Sequence, residues 1–437
     1  MEAVGSRGAG IFAEQRKYIF DCVKPLYSEP VAIAEGKGCR VRDFDGREYL
    51  DGFAGILTTS LGHCHPAVVG AIQEQAARVG HLSTLYVNDR QVEAGRVLAG
   101  IAPGDLGRTF FLNSGTEAIE TALQAARLHT GRTEIIALRQ AYHGRTSMAT
   151  AVTAHAPWRV LPSTVTGITH ALSPYPYRAP FGARTDEELV EIYARDLIEV
   201  IETTTNGRPA AFIAETIQGV GGYIVPPLGY FQRMAEIIRS YGGLFISDEV
   251  QAGFGRTGRR WFGIEHWGVV PDIMVMAKGI AGGMPVAATI TTDEIAGSWR
   301  GKTISTFGGN PVCMAAMVAT LEVMHAEDVR TRAWLRGAQL REGLDALRRI
   351  HSWIGEVRGM GLMQALEIVE DPVGREPAPP LAGMLLNAAR DEGLLIGLSG
   401  LYGHVIRIGP SLLISESEVD ELLLRLGRAC ATVEAAR

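Results

Sequence analysis

The chain has 437 residues, 46% of them hydrophobic and 21% charged, with a formal net charge of -6. That is the makeup of a globular enzyme long enough for two domains. It excludes the basic footprint of a nucleic-acid binder, and no apolar run of about 18 residues marks a membrane span. The cysteines, Cys22, Cys39, Cys64, Cys313 and Cys430, are odd in number and form no CxxC pair. A disulfide framework or zinc site is therefore not expected. The opening stretch MEAVGSRGAGIFAEQRKYIF lacks an apolar signal core, so a cytoplasmic location is expected.

Residues 1–30 are mixed and amphipathic, and read as a helix packing on a partner or on the chain's own body. Val31–Leu50 alternates apolar and polar residues around turn signals, which predicts a small antiparallel meander. Asp51–His65 reads as a Gly-rich loop near a ligand. Pro66–Val79 has Ala67, Val68, Ala71, Ile72 and Ala76 on one helical face. From about residue 88, helices and strands alternate. Val92–Gly100, Thr116–His129, Asp186–Glu202 and Gly229–Tyr241 read as helices. Arg108–Leu112, Glu134–Leu138, Ile168–Leu172, Ala211–Ala214, Leu244–Ile246, Ile273–Met276 and Val286–Ile290 read as strands. This alternation predicts a mostly parallel sheet flanked by helices. After Asn310-Pro311 one helical segment runs to about Ile350, followed by the strands Gly355–Val357 and Met360–Glu367. A surface loop at Glu376–Pro380, a helix near Leu381–Glu392, further strands to Ile414 and a last helix at Ser415–Ala436 complete an α+β pattern.

Several short constellations carry chemistry. Asn113-Ser114-Gly115-Thr116 follows a strand and opens a helix, as a phosphate site or a plain helix cap would. Tyr142-His143-Gly144-Arg145 follows another strand. Its tyrosine suits a flat ring or a half-buried turn, and its arginine a carboxylate or the open surface. Glu215 and Asp248 close apolar strands, where parallel α/β sheets gather their ligands. A carboxylate at Asp248 is costly unless paired, and a protonated pyridine nitrogen would pair it. Gln251 stands three residues on, within reach of a ring oxygen. Lys278 lies between an apolar strand and Gly279–Gly283, a setting that lowers an amine's pKa. The glycines 253, 255 and 258 form a GxGxxG pattern, but no Ala-rich helix and no spaced acidic residue follow. Thr306 sits in a Gly-rich loop, and Arg407 lies inside an apolar strand, where it needs an anionic partner.

Together these stretches resemble the class III aminotransferases, the ω-aminotransferase group of fold type I pyridoxal-phosphate enzymes. The resemblance runs in order through DGFAG at 51–55, NSGTEAIETALQAAR at 113–127, YHGRT at 142–146 and AETIQG at 214–219. It continues through SDEVQAGFGRTG at 247–258, AKGIAGGMP at 277–285, TFGGNP at 306–311 and VRGMGLM at 357–363. It implies an α/β fold with a large domain (61–325) on a mostly parallel seven-stranded sheet. A smaller α+β domain would come from both chain ends, 1–60 and 326–437.

The resemblance also implies roles. Lys278 would be the Schiff-base lysine and proton shuttle, and Asp248 the partner of the pyridine nitrogen. Gln251 would contact the phenolic oxygen. Ser114, Gly115 and Thr116 would hold the phosphate of pyridoxal phosphate, joined by Thr306 from a neighbouring subunit of a homodimer or tetramer. Tyr142 would stack on the ring against Val250, with His143 and Glu215 beside it. Arg407 would receive the substrate carboxylate. Arg145, Ile56, Leu57, Tyr86 and Trp158 are further candidates for the substrate pocket. The reaction implied is a ping-pong transamination from an amine, an ω- or β-amino acid or alanine to a short α-keto acid, with pyridoxamine phosphate as the cofactor's amino form. Members that use 2-oxoglutarate often carry a glutamate after the QG of AETIQG, where this chain has Val220. That departure favours pyruvate or glyoxylate, as in the alanine–glyoxylate and β-aminoisobutyrate–pyruvate branch and some amine:pyruvate transaminases. The alternatives are a 2-oxoglutarate-dependent 4-aminobutyrate or ornithine type, and an aminomutase, racemase or decarboxylase of the same fold.

Overall fold

A computed structural model describes residues 6–179 and 185–437. Of the N-terminal stretch read as amphipathic, residues 1–5 lie outside the described part, and Arg7–Tyr18 is a helix.

The central layer is a seven-stranded sheet. Its order across the sheet is Arg108–Leu112, Ala287–Thr291, Ile273–Met276, Leu244–Asp248, Ala211–Glu215, Ile135–Leu138, Ile168–Ala171. Only Ala287–Thr291 runs against its neighbours. The carboxyl ends of the other six strands therefore share one edge of the sheet. The strand read as Leu244–Ile246 continues through Ser247 to Asp248, because its ladder holds to the end: Glu215 pairs with Asp248, and Asp248 with Val275. Apolar composition marks the buried run and stops short of the paired polar residues.

The strands are four to five residues long and largely buried on both faces, as helix-covered parallel sheets require. Helix Gly115–Thr130 lays Ala118, Ile119, Ala122, Leu123 and Ala126 on the sheet and stops at Gly131, in the left-handed region (φ 67°). On the other face Phe245 stacks on Phe212 (6.0 Å) and Phe231 (5.7 Å), fully buried. Phe245→Ala is expected to cost about 3–5 kcal/mol, read as a lower denaturant midpoint at unchanged m-value; an unchanged midpoint would contradict this packing.

The predicted meander is present as Ile33–Lys37, Arg40–Asp43 and Glu48–Asp51, with Leu394–Leu395 added parallel at its edge. A third, antiparallel sheet has the order Ile354–Met360, Met363–Ile368, Val405–Ile408, Gly397–Ser399.

Four sequence expectations are corrected. The single helix after Pro311 is two, Pro311–Ala326 and Val329–Ile350, broken where Asp328 turns left-handed (φ 42°), a conformation aspartate tolerates. The strand Met360–Glu367 is a hairpin turning at Gly361 (φ 54°). The Glu376–Pro380 loop already holds the start of helix Pro379–Asp391. In helix Pro66–Arg78 the buried residues are Val68 and Gln75, while Ala67 and Ala76 face out.

The loop Asp51–His65 contains a turn of the wrong hand. Ala54, Gly55, Ile56 and Leu57 have φ of 49°, 58°, 65° and 60°. Each non-glycine there costs about 1–2 kcal/mol. Asp51 Oδ1 holds the turn by accepting the N–H groups of Phe53 (2.9 Å) and Ala54 (2.8 Å). The C-terminal strand locks it from the other side: Gly409 N–H donates to Gly52 O (2.8 Å) and Leu412 N–H to Ser60 O (2.7 Å). No helix among the described residues is long and apolar enough to cross a membrane.

Candidate active site

The shared strand edge opens into a cavity of about 370 Å³. Ser114, Gly115, Thr116, Tyr142, His143, Arg145, Glu215, Asp248, Val250, Gln251 and Lys278, all singled out in the sequence, line it. Asn113, which opens the Asn113–Thr116 constellation, lines it too; the sequence reading gave no site role to Thr58, Met284 and Val286, whose only signal is adjacency to the motifs.

One wall is the start of helix Gly115–Thr130, whose first N–H groups have no intrahelical acceptor. The Ser114 hydroxyl does not cap them. It donates to Glu117 Oε2 (3.0 Å), which also accepts Asn113 N–H (3.0 Å). The helix dipole and free N–H groups are thus available to an anion. The Thr116 hydroxyl is engaged elsewhere, accepting Arg145 N–H (3.2 Å) and Thr146 N–H (3.1 Å) and bonding Thr146 Oγ1 (2.8 Å). It fastens the Tyr142–Thr146 loop over the helix start. Gly144 is required at that crossing: its φ is 134°, and a Cβ would stand 2.5 Å from Thr116 Oγ1.

The floor holds two neighbouring carboxylates. Asp248 Oδ2 bonds His143 Nδ1 (2.7 Å), and Asp248 Oδ1 accepts Val250 N–H (3.0 Å). Burial alone would lower the His143 pKa, but Asp248 and then Glu215 outweigh it and hold it raised. The pairing with Asp248 thus favours the protonated imidazole. Its Nε2 has no partner among the described residues. Glu215 accepts Tyr142 N–H (2.9 Å) and Gly219 N–H (2.8 Å). Its pKa is raised, first by burial, with the like charge of Asp248 adding and His143 opposing. Beneath them Glu249, which the sequence reading did not single out, accepts Thr216 Oγ1–H (2.6 Å), Gly263 N–H (2.9 Å) and Ile264 N–H (2.7 Å). Burial pushes it up to about 7.

Lys278 enters from the neighbouring strand end in a left-handed conformation (φ 48°), strain typical of working residues. Burial lowers its amine to about 8, against the opposing pull of Asp248 and Glu215. A free amine is thus accessible near neutral pH. Gln251 Oε1 is buried without a partner among the described residues.

Arg407 lies outside this cavity, yet its charge is felt at Lys278 and Glu215. It is 7% exposed and sits over the rings of Phe53 (4.9 Å) and Tyr223 (5.6 Å). Its donors reach only carbonyls, Leu398 O (3.3 Å) and Gly219 O (3.5 Å), and its Nε has no partner. No carboxylate among the described residues pairs with it. Val220 is buried, and its carbonyl accepts Gly400 N–H (3.0 Å).

The remaining pocket candidates are scattered. Trp158 packs edge-on against Tyr142 (5.5 Å). Ile56 is exposed. Leu57 corrects the sequence reading: it is 2% exposed and packs with Ile217, Tyr223, Met363, Ala365 and Val405, because the left-handed turn directs it into the core. Tyr86 and Thr306 are exposed and away from the cavity of their own chain. The glycines 253, 255 and 258 lie in turns with no helix behind them. Gly255 and Gly258 pack on Val329 and Trp334, so the dinucleotide pattern is a matter of close packing.

The site fits pyridoxal phosphate. The helix start and the Tyr142–Thr146 loop can take a phosphate, buried Asp248 a pyridinium, and the N–H donors of the Gln251 amide a ring oxygen. Lys278 supplies the amine. The family model for class III aminotransferases matches residues 24–430. Alanine–glyoxylate aminotransferase 2 homolog 2, mitochondrial, of Arabidopsis thaliana is 41% identical over 414 residues, covering 94% of this chain and 85% of that protein. Acetylornithine aminotransferase of Methanopyrus kandleri is 39% identical over 401 residues, covering 92% of this chain and 94% of that protein. Among solved structures, an amine transaminase from an uncultivated Pseudomonas species, in a PLP-bound form, is similar at a TM-score of 0.90 and 32% identity. It covers 95% of this chain and 98% of its own. Fold, site and relatives agree, and the chain belongs to the class III aminotransferases, pyridoxal-phosphate enzymes of fold type I.

Proposed function

We propose that this aminotransferase moves an amino group from an amine, a β- or ω-amino acid or alanine to a short α-keto acid, pyruvate or glyoxylate, by a ping-pong mechanism. The observation that carries the acceptor is Arg407, a buried guanidinium with no carboxylate partner among the described residues and with Val220 where a switching glutamate would stand. An arginine left unpaired in this way stays available to a substrate carboxylate. The likeness to an alanine–glyoxylate aminotransferase agrees with this reading.

When bound, pyridoxal phosphate supplies an electron sink for the pair left on the donor carbon. The chain's own residues do the rest. Lys278 Nζ takes the proton from the donor carbon and returns it on the cofactor side. Asp248, held by His143, keeps the proton on the ring nitrogen. The helix start at Gly115 would anchor the phosphate, and Tyr142 and Val250, which line the same cavity, would hold the ring. Arg407 orients the acceptor. We place the site at a homodimer interface. Its support is an exposed apolar group, Leu85, Tyr86, Val87, Ile304 and Phe307, drawn together where His81 meets Phe307 (5.1 Å). Thr306 stands in this group, positioned to serve the partner's site.

The test is a panel of 1-phenylethylamine, β-alanine, 4-aminobutyrate, acetylornithine and alanine against pyruvate, glyoxylate and 2-oxoglutarate. The short acceptors should exceed 2-oxoglutarate in kcat/KM by about tenfold or more, a difference of about 1.4 kcal/mol. Arg407→Ala should raise their KM by roughly ten- to a hundredfold, the worth of a charged hydrogen bond. Strong activity with 2-oxoglutarate alone would overturn the acceptor assignment. It would favour the second reading, an ornithine-type ω-amino donor, to which the likeness to an acetylornithine aminotransferase points.

A further inference from the structure

Arg358, from the VRGMGLM stretch, belongs to a buried charge cluster apart from the cofactor cavity. At its centre is Glu367, which is 0% exposed. Glu367 Oε2 accepts from Arg358 Nη1 and from the Tyr175 hydroxyl. Its Oε1 accepts from Arg178 Nε (2.6 Å), with His404 Nε2 3.4 Å away. Burial alone would raise the pKa of this carboxyl, but these neighbours outweigh it and hold it below the usual carboxylate range. The donors come from two layers. Arg358 stands on the same C-terminal sheet as Glu367, while Tyr175 and Arg178 follow the main-sheet strand Ile168–Ala171. Arg178 Nη2 also donates to Arg375 O (2.7 Å), and Arg358 Nε to Gly222 O (2.7 Å), so each layer sends an arginine into the other.

Register ties Arg407 to this cluster. Opposite residues of an antiparallel pair share a face of the sheet. Arg358, Ala365 and Arg407 therefore form one row across three strands, and Glu356, Glu367 and Val405 the next. Two buried arginines thus flank Ala365. Arg358 has its anions, Glu356 Oε2 (2.6 Å) and Glu367, while Arg407 reaches only carbonyls. One of these is Gly219 O, and Gly219 N–H bonds Glu215 in the wall of the cofactor cavity. Beside the cluster, Met363, Ala365 and Val405 of this sheet pack on Leu57, Ile217 and Tyr223. Apolar contact of that kind is non-directional, whereas hydrogen bonds fix one arrangement of the layers. A buried carboxylate is costly, and its best-attested use is to specify geometry.

We propose that Glu367 is a positioning residue for carboxylate recognition: by gathering Tyr175 and Arg178 from the main layer, it docks the sheet that carries Arg407 at a fixed place relative to the cofactor cavity. This rests on the reading of Arg407 given above. The cavity itself is lined, among the described residues, by Thr58 and by residues between 113 and 286. A loosened dock therefore acts on substrates through their carboxylate and leaves the cofactor's own contacts in place.

The experiment uses the holoenzyme and follows each half-reaction separately through the cofactor's absorbance. Removing one partner of a buried pair is strongly destabilising, so Glu367 itself is left intact. Arg178→Met and Tyr175→Phe each delete one donor from the main layer and keep the Glu367–Arg358 pair. Each should raise the half-saturating concentration of pyruvate and glyoxylate by about five- to tenfold, with the saturating rate changed by less than about twofold. The half-reaction with 1-phenylethylamine, which has no carboxylate, should keep its rate. Arg178→Lys, which returns a cation toward Glu367, should recover most of the loss. In an Arg407→Ala background, Arg178→Met should add less than about twofold, because it acts through that arginine. An unchanged half-saturation for pyruvate in Arg178→Met overturns the proposal. So does an equal loss with 1-phenylethylamine, which marks a packing defect, or a full further loss in the Arg407→Ala background. Arg407→Ala alone separates the two readings. If it weakens pyruvate binding while Arg178→Met and Tyr175→Phe do not, the docking role fails and Arg407 stands. If it leaves pyruvate binding unchanged, the Arg407 reading fails and the docking role falls with it.

Discussion

Lys278→Ala is expected to abolish transamination, with initial rates down by roughly 10³- to 10⁴-fold, the scale of a lost proton-transfer group. The structure gives two reasons for the size of the effect. The amine enters the cavity from a strand end with a strained backbone, and among the described residues no second lysine lines the cavity. Its pKa, brought down to about 8 chiefly by burial, makes it a competent base near neutral pH. The sign is checkable. The amine is protonated below that value and free above it, so in cofactor-free protein its reaction with an amine-directed reagent should accelerate between about pH 7 and 9. An ordinary lysine would accelerate near pH 10.4. Lys278→Arg, which keeps a cation and removes the nucleophile, should be as inactive as the alanine variant. Full turnover in either variant would remove the assignment.

Asp248→Asn should lower kcat by roughly 10²- to 10³-fold, the usual consequence of deleting one preorganised electrostatic group. Asparagine fills the same volume and can still accept from His143 Nδ1, so the fold should hold. What is lost is the charge that keeps a proton on the ring nitrogen. The loss should therefore fall on kcat while KM for the acceptor stays close to its normal value. The melting temperature is the control. If Asp248→Asn melts normally and turns over normally, Asp248 does not serve the ring.

Most of the cavity was legible in the sequence, because its residues sit at strand ends and helix starts. Ser114, Tyr142, Glu215, Asp248 and Lys278 each follow a recognisable apolar run, and a parallel sheet brings such ends to one edge. What escaped was set by tertiary contact. Glu249 looks like the second acid of a pair, and its burial depends on Thr216 and the Gly263–Ile264 backbone arriving from elsewhere. Thr116 reads as a phosphate ligand, while its hydroxyl is taken by a loop thirty residues away. Leu57 was misplaced because nothing in DGFAGIL announces four successive left-handed residues. Asp328 breaks in two the helical segment read from Asn310-Pro311 to Ile350, at a polar stretch that by itself is compatible with an exposed helical turn.

The fastening of Gly52 and Ser60 to Gly409 and Leu412 has a consequence for the order in which the protein matures during synthesis. The seven strands of the main sheet all lie between Arg108 and Thr291, so a growing chain holds every one of them well before its end is made. The turn at Ala54–Leu57, though made early, lacks its fastening from that side until Gly409 and Leu412 have left the ribosome. Contacts of such sequence separation form late, because the loop between them must close first. A nascent chain released before Val405 should thus carry the lysine and its carboxylates in place while lacking both the locked turn and the Arg407 strand. The site is finished only once the segment from Val405 to Leu412 has been made.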